Sequence, residues 1–132
     1  MQTFLPYPDF KKSLDCLDFR RLGKQRVEAK QIINALTLPE YGWKRHPATL
    51  MWKNNIEALK LYHNIAIETW VERGYKNNMT MFETIDNPKM PWWFGLNKFH
   101  ASHRSNLLRK DYKFYSKYKW TEAHDLQYFW PL

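Results

Sequence analysis

The fold is decided by the stretch PATLMWKNNIEALKLYHNIAIETWVERG, residues 47–74. Five of its apolar residues are separated by three, four or seven positions, which is the spacing of one face of an α-helix. These residues are Trp52, Ile56, Leu59, Ala66 and Trp70. Pro47 suits the first position of a helix, where no N–H partner is needed, and Gly74 suits the residue beyond the end. The pattern therefore predicts one long helix from about Pro47 to Arg73.

Two further helices are expected on either side of the long one. The segment from Arg20 to Leu36 has apolar residues at helical spacing and is followed by Pro39, and a third helix should cover about Ala101 to Ser116. Residues 76–98 contain Asn, Pro and Gly residues that favour an irregular connection. The sequence thus predicts an all-α fold with about three main helices in one domain, residues 1–132. An extended N-terminal arm and a packed, aromatic C-terminal tail complete it.

The chain is strongly basic, with 21 Lys and Arg against 13 Asp and Glu and a formal charge of +8. The positive residues concentrate in residues 11–30 and 98–119, so a polyanion is the expected partner and nucleic acid the leading one. The sequence has no apolar span long enough for a membrane helix, and MQTFLPYPDFKK at the N-terminus lacks the apolar run of a signal peptide. We expect a cytoplasmic, nucleoid-associated monomer. The single cysteine, Cys16, excludes an internal disulfide and fits a small core residue.

The polar segment HASHRSNLLRK, residues 100–110, combines two His, two Arg, two Ser, an Asn and a Lys with one apolar pair. On a helix, Leu107 and Leu108 would face the core while His103, Arg104 and Arg109 reach outward. Arg presents a planar fork of donors that suits phosphate. The segment therefore predicts a phosphate-binding face. The alternative is an ordinary solvated helix face.

Aromatic residues are unusually frequent, with seven Trp, eight Tyr and eight Phe. Many lie beside Lys and Arg, as in PWWF at residues 91–94 and YKFYSKYKW at residues 112–120. Rings can stack on unpaired bases while the charges follow the backbone, so these clusters favour a nucleic-acid surface. The alternative is that the rings form the core of a small domain.

One carboxylate, Glu28, lies among the five cations of the segment RRLGKQRVEAKQI, residues 20–32. Nearby positive charge favours the ionised form of a carboxylate, so we expect the pKa of Glu28 to be lowered. The simpler interpretation is that Glu28 only pairs with Lys24, one helical turn away.

The order of these features resembles the phage-type pyrimidine-dimer DNA glycosylases with AP lyase activity, the endonuclease V type of repair enzyme. In that family a helix carrying an essential glutamate follows a short arm, and RLGKQRVEAKQI, residues 21–32, is similar in spacing. The likeness aligns Glu28 with that glutamate and Arg21 with a family histidine. It extends over about residues 15–120, and TFLPY and RRLGKQRVE resemble a bacterial and viral branch of uncharacterised proteins.

Three later segments carry the same resemblance. MWKNNIEALKLYHNIAIETWVERGY, residues 51–75, matches the long helix of the family in its pattern. FHASHRSNLLRKD, residues 99–111, is similar to the opening of the family's last helix. YKFYSKYKW then resembles its basic, aromatic tail, which contacts DNA.

The resemblance implies a mechanism that needs no metal or cofactor. In the family, the α-amine of the processed N-terminal threonine attacks C1′ of the damaged nucleotide, releases the base and leaves an imine that undergoes β-elimination. An unperturbed α-amine has a pKa of about 7.7–8.0 against about 10.4 for lysine, so more of it is uncharged at neutral pH. The glutamate assists ring opening and proton removal, while Arg and Lys hold the phosphates of a kinked duplex with an extruded nucleotide.

In this chain the likeness assigns the catalytic roles to Met1 and Glu28. The bulk of Gln2 disfavours removal of Met1, whose α-amine is then the nucleophile, and Lys24 and Lys30 are the alternative nucleophiles. The expected partner is duplex DNA carrying a damaged or modified pyrimidine. The residues expected to contact DNA are Arg20, Arg21, Lys24, Arg26, His46, His100, His103, Arg104, Arg109, Lys110, Lys113, Lys117 and Trp120.

Two other functions fit the same residues. A non-catalytic nucleic-acid-binding protein could have the same scaffold, and the altered N-terminus favours it. A metal-dependent nuclease could use His100 and His103 with His124 or Asp125, because a spacing of three on a helix permits two ligands on one face.

Overall fold

The computed structural model describes residues 1–132 and contains helices and irregular segments but no strand. The six α-helices are α1 (Phe10–Asp15), α2 (Phe19–Thr37), α3 (Pro47–Leu50), α4 (Ile56–Glu72), α5 (Asn97–Lys110) and α6 (Tyr112–Tyr115). A 3-10 turn, Ser116–Tyr118, follows α6. The predicted all-α class and the single domain are confirmed. None of the helices combines the length and the apolarity that crossing a bilayer requires.

Helix α2 extends one residue beyond the predicted segment at each end. It starts at Phe19 because the Asp18 carboxylate accepts a hydrogen bond from the backbone N–H of Arg21 and so caps the first turn. Its buried face includes Leu22, Ala29 and Ile32 and packs mainly against α4. The apolar residues whose spacing predicted this helix therefore lie on the face that packs in the core.

The prediction of one continuous helix from Pro47 to Arg73 is wrong, because a turn over residues 51–55 divides it into α3 and α4. The turn buries Trp52, whose indole N–H donates to Thr3 Oγ1 at 3.0 Å, and lets the Asn55 amide donate to the Lys89 carbonyl at 3.1 Å. Long-range hydrogen bonds thus override local helical spacing here. The two ends are as predicted, with Pro47 opening α3 and Gly74, at φ +91°, following α4.

The other helix boundaries follow from capping residues that the sequence prediction missed. Helix α1 forms within the arm because the Asp9 carboxylate accepts from the backbone N–H of Lys12 at 2.8 Å. Helix α5 begins four residues before the predicted start at Ala101. It ends where Asp111 caps α6 by accepting from the N–H of Phe114. The predicted third helix is therefore two helices.

The polar residues of α5 point mostly into the protein, so the prediction of an outward phosphate-binding face is wrong for His103 and Arg104, and the predicted DNA contact His100 is buried too. His100 and His103 are 1% exposed, and the side chain of Arg104 is 13% exposed. Leu107 and Leu108 lie in the core as predicted. A helix that is polar on several sides is buried here because two extended segments cover it and bind its side chains.

The C-terminal tail is one of these segments, and it packs as predicted although it has no regular structure. Ser105 Oγ accepts from the N–H of Leu126 at 3.1 Å, and Ser102 Oγ accepts from the N–H of Phe129 at 3.2 Å. The Asn106 amide donates to the Leu126 carbonyl at 3.1 Å. The serines and the asparagine of α5 therefore bind backbone, which explains why they are buried.

The buried His103 predicts a loss of stability in acid. Burial, with smaller contributions from His100 and Arg104, lowers the pKa of His103 from 6.5 to about 3. Between those values the unfolded state binds the extra proton, so the free energy of unfolding falls by about 1.4 kcal/mol for each unit that the pH falls. Urea denaturation at about pH 7 and about pH 4.5 measures this loss.

The control is His103→Asn, which keeps an acceptor near the N–H of Leu5 but does not titrate. We expect the free energy of unfolding of this variant to depend less steeply on pH, because the variant lacks the contribution of His103. Equal slopes in the two proteins would contradict the assignment.

Candidate active site

The N-terminal arm is fixed to α2 and α4 through the side chains of Gln25 and Tyr62. Gln25 Oε1 accepts from the N–H of Phe4 at 2.8 Å, and its amide donates to the Gln2 carbonyl at 3.1 Å. The Tyr62 hydroxyl donates to the Phe4 carbonyl at 2.9 Å. These side chains pair with the backbone as a neighbouring strand would. The first residues of the chain therefore have a defined position.

Helix α5 binds the next residues of the arm through its histidines. His103 Nδ1 accepts from the N–H of Leu5 at 2.9 Å, and His100 Nδ1 donates to the Leu5 carbonyl at 2.7 Å. His100 Nε2 in turn accepts from the N–H of Gly95 at 2.9 Å. Arg104 Nη1 donates to the Pro6 carbonyl at 2.7 Å, and its Nε donates to Glu122 at 2.9 Å. The arm is thus held on both sides.

The arm places Met1 in a cleft of about 810 Å³ that Glu28 also lines. Four cations contribute to the lining, three from α2 and one from the end of α5, together with four aromatic residues. The lining residues are Met1, Gln2, Phe4, Phe19, Arg20, Arg21, Gly23, Lys24, Gln25, Val27, Glu28, Trp70, Lys110 and Tyr128. An amine, a carboxylate and a basic rim therefore share one concave surface.

The carboxylate of Glu28 is partly buried and oriented by the neighbouring Gln25, whose Nε2 donates to Glu28 Oε2 at 3.0 Å. Burial raises the pKa of Glu28, and this effect outweighs the opposing effects of the Met1 α-ammonium and Lys24. The expectation of a lowered pKa is therefore wrong, because the loss of water matters more than the nearby charges. Neither cation forms a direct ion pair with the carboxylate.

His46 lies beside the same amine without lining the cleft. Burial lowers the pKa of His46, and the positive charge of the Met1 α-ammonium lowers it further. Its Nδ1 accepts from the N–H of Ala48 at 3.0 Å, which caps α3, and its ring meets Trp130 edge-on at 6.0 Å. The ring is therefore held with its Nδ1 already bonded.

Comparison with known families identifies the N-terminal part of the chain. Residues 1–83 match the family described as pyrimidine dimer DNA glycosylase. The chain belongs to this family. The matched residues include the arm, helices α1–α4 and every cleft residue except Lys110 and Tyr128. No curated protein and no solved structure matches the chain.

Six of the residues that the sequence analysis predicts to be catalytic or to contact DNA line the cleft. They are Met1, Glu28, Arg20, Arg21, Lys24 and Lys110. Arg21 also pairs with Asp18 at 3.1 Å, which orients its guanidinium group. Of the two alternative lysine nucleophiles, Lys24 lines the cleft and Lys30 is exposed outside it.

The other residues that were predicted to contact DNA do not line the cleft. Arg26 stacks on Trp70 and donates to Asn77 Oδ1 at 2.7 Å, and the indole of Trp120 donates to the Tyr7 hydroxyl at 2.9 Å. Arg109 is exposed and binds Asn106 and the His124 carbonyl. Lys113 and Lys117 are exposed, and Lys117 lies over the Phe114 ring.

The metal-nuclease alternative loses its proposed ligands. The Nδ1 atoms of His100 and His103 are bonded to the Leu5 backbone, and His100 Nε2 is bonded to Gly95. His124 lies against the ring of Tyr112 at 5.0 Å. No group of three or more His, Cys, Asp or Glu side chains is arranged to hold a metal ion.

Sequence reasoning missed Gln25, which holds both the arm and the carboxylate of Glu28, and Tyr62, which holds the arm. Both are fully buried polar side chains within otherwise apolar helix faces. Gln25 lies three residues before Glu28, on the same side of α2, which was the available signal. That signal could not reveal its partners, since the Gln2 and Phe4 backbone is more than twenty residues away.

Gln25→Met tests whether this glutamine anchors the arm. The substitution keeps the length of the side chain but leaves the buried N–H of Phe4 and the Gln2 carbonyl unpaired. We expect the free energy of unfolding to fall by about 2–4 kcal/mol, measured by urea denaturation. The matched control is Gln31→Met, since Gln31 is a half-buried glutamine of α2 without a side-chain hydrogen bond, and it should change stability by less than about 1 kcal/mol. Similar losses in both variants would contradict the anchoring role.

Proposed function

We propose that the protein is a DNA glycosylase with AP lyase activity that acts on a damaged or modified pyrimidine in duplex DNA. Its nucleophile in this proposal is the α-amine of Met1. The supporting observation is that the arm, bound by α2, α4 and α5, brings this amine into one cleft with Glu28. Family membership supports the glycosylase class and DNA as the substrate.

The proposed reaction begins when the uncharged α-amine attacks C1′ of the damaged nucleotide. The new N–C1′ bond forms as the bond from C1′ to the base breaks, and the base leaves with the electron pair of that bond and takes the proton that the new ammonium gives up. The nitrogen lone pair then expels O4′, which takes up a proton, and a protonated imine between Met1 and the sugar results. Removal of a proton from C2′ forms the C1′–C2′ enamine, whose electrons then expel the 3′ phosphate by β-elimination.

Glu28 suits two of the proton transfers in this scheme, the one to O4′ and the one from C2′. Burial raises the pKa of its carboxyl, so the protonated form is more accessible than for an exposed glutamate. The acid can protonate O4′ during ring opening, and the resulting carboxylate can then accept the C2′ proton. Gln25 fixes its orientation through Oε2. A single side chain can therefore act in two successive steps at the same carbon skeleton.

The phosphates are assigned in this proposal to the four cations of the cleft. Arg20 and Lys24 are exposed on α2, Arg21 is half-buried beside Asp18, and Lys110 lies exposed at the end of α5. Arg and Lys in such positions neutralise phosphate charge and steer the duplex toward the amine. His100, His103 and Arg104 have a different role here, since they hold the arm that carries Met1.

Borohydride trapping tests the identity of the nucleophile. Incubation with abasic-site duplex DNA and borohydride should reduce the imine to a stable adduct, and tryptic mapping should place it on the peptide that starts with Met1. An adduct on Lys24 or Lys30 would transfer the role to that lysine. Binding without any adduct would favour a non-catalytic nucleic-acid-binding protein.

Glu28→Gln tests the proton-transfer role separately from binding. The amide keeps the size of the side chain but cannot exchange a proton, so we expect strand cleavage in single turnover to fall by about a hundredfold or more. DNA affinity should be equal or slightly higher, because one negative charge is lost from the cleft. Glu40→Gln is the control, since it removes the same charge from an exposed site outside the cleft. Equal cleavage by Glu28→Gln and Glu40→Gln would remove Glu28 from the mechanism.

A further inference from the structure

The C-terminal tail contributes one side chain to the cleft, that of Tyr128. Tyr128 and Lys110 are the two lining residues that lie outside the family-matched residues 1–83. The amine and carboxylate chemistry of Met1 and Glu28 does not account for a tyrosine in the same cleft. The cleft is therefore built from both ends of the chain, and the tail supplies a hydroxyl group to it.

Contacts with α5 and with the tail itself hold the Tyr128 ring in place. The ring meets His103 edge-on, with centroids 5.5 Å apart and an angle of 74°, and it lies 5.5 Å from the ring of Trp130. The next residue is fixed through its backbone, since the N–H of Phe129 donates to Ser102 Oγ at 3.2 Å. His103 also binds the backbone of the arm. One helix therefore positions the arm and the tyrosine relative to each other.

The hydroxyl of Tyr128 is a hydrogen-bond donor throughout the neutral pH range. Burial raises its pKa to about 12, and the opposing effects of Arg109, Arg21 and the Gln2 side chain are smaller. Because Gln2 lowers the pKa, it acts on the hydroxyl oxygen as a donor and leaves the hydroxyl hydrogen free. The hydroxyl is not among the polar atoms that are buried without a partner, so a ligand in the cleft can reach it.

The charges around the hydroxyl favour an anionic ligand. Arg21 lines the cleft from α2 and Lys110 lines it from the end of α5, while Arg109 is near enough to act on the pKa of the hydroxyl. Cations of this kind attract phosphate. The hydroxyl adds a hydrogen bond to such a phosphate without adding a charge beside Glu28, whose proposed role is to give and accept a proton. A phosphate of the DNA backbone therefore suits this part of the cleft.

We propose that the Tyr128 hydroxyl donates a hydrogen bond to the phosphate on the 3′ side of the reacting sugar and assists its departure. This inference rests on the proposed function, in which Glu28 removes a proton from C2′. C3′ is bonded to C2′ and carries the leaving oxygen, so the 3′ phosphate is the phosphate nearest to the carbon on which Glu28 acts. Glu28 is in turn one of the charges that act on the Tyr128 hydroxyl.

The hydroxyl acts in this step as a donor and keeps its proton. When the C3′–O3′ bond breaks, its electron pair passes to the phosphate, whose negative charge increases. A hydrogen bond to an oxygen that gains charge becomes stronger as the reaction proceeds, and it therefore lowers the barrier to elimination. Formation of the imine, which precedes this step, does not involve the 3′ phosphate.

The test separates imine formation from elimination on an abasic-site duplex in single turnover, with borohydride added at successive times. A label at the 5′ end of the cleaved strand stays with the trapped adduct throughout, whereas a label at the 3′ end stays only until the 3′ phosphate leaves. Tyr128→Phe removes the hydroxyl and keeps the ring. We expect the 5′-labelled adduct to form at the wild-type rate and the 3′ label to leave the adduct about tenfold or more slowly.

Tyr112→Phe is the matched control, since Tyr112 is an exposed tyrosine of the same part of the chain that does not line the cleft. Both labels should behave in it as in the wild type. Loss of the 3′ label at the wild-type rate in Tyr128→Phe would overturn the role of the hydroxyl. Slower formation of the 5′-labelled adduct would also overturn it, because the hydroxyl would then serve to position Met1. Wild-type protein that forms no adduct would overturn the proposed function itself.

Discussion

The structure depends on one constraint, which is that two buried extended segments must pair their backbone groups without a β-sheet. Buried N–H and C=O groups are costly unless they are hydrogen-bonded. Helices supply the partners here through side chains: Gln25 and Tyr62 for the start of the arm, His100 and His103 for Leu5. The serines and asparagine of α5 do the same for the C-terminal tail. The polar character of α5 is therefore structural.

The same hydrogen bonds also fix the position of the Met1 amine in the cleft. A terminal amine is normally the most mobile group of a chain, and mobility works against a reaction that needs a fixed approach to one carbon. In this protein the residues directly after Met1 are bonded on both sides, and Gln25 serves the arm and Glu28 at the same time. The position of the amine relative to the carboxylate is consequently set by the same side chain that stabilises the fold.

The sequence was sufficient where local spacing decides the outcome and insufficient where distant partners decide it. Helix α2 could be predicted to within a residue because its apolar period and the Pro39 that follows it are local features. The break between α3 and α4 depends on Thr3 and Lys89, which no local pattern reveals. A polar helix face has the same sequence whether it binds phosphate, water or backbone, so the role of α5 was misjudged. The family likeness supplied Met1 and Glu28, but it could not supply Gln25.

The pairing between the arm and α5 joins residues that are far apart in the chain. Leu5 is 98 positions from His103 and 95 from His100. During synthesis the first residues leave the ribosome long before these partners exist, and contacts of such sequence separation form late in folding. The bonds from Leu5 to α5 therefore form only after α5 has been made, whereas the partners of Gln2 and Phe4, Gln25 and Tyr62, are made earlier. The order of translation thereby makes the bonds between the arm and α5 the last of the arm's bonds to form, so a chain that stops before α5 carries Met1 and Glu28 on an arm that is held from one side only.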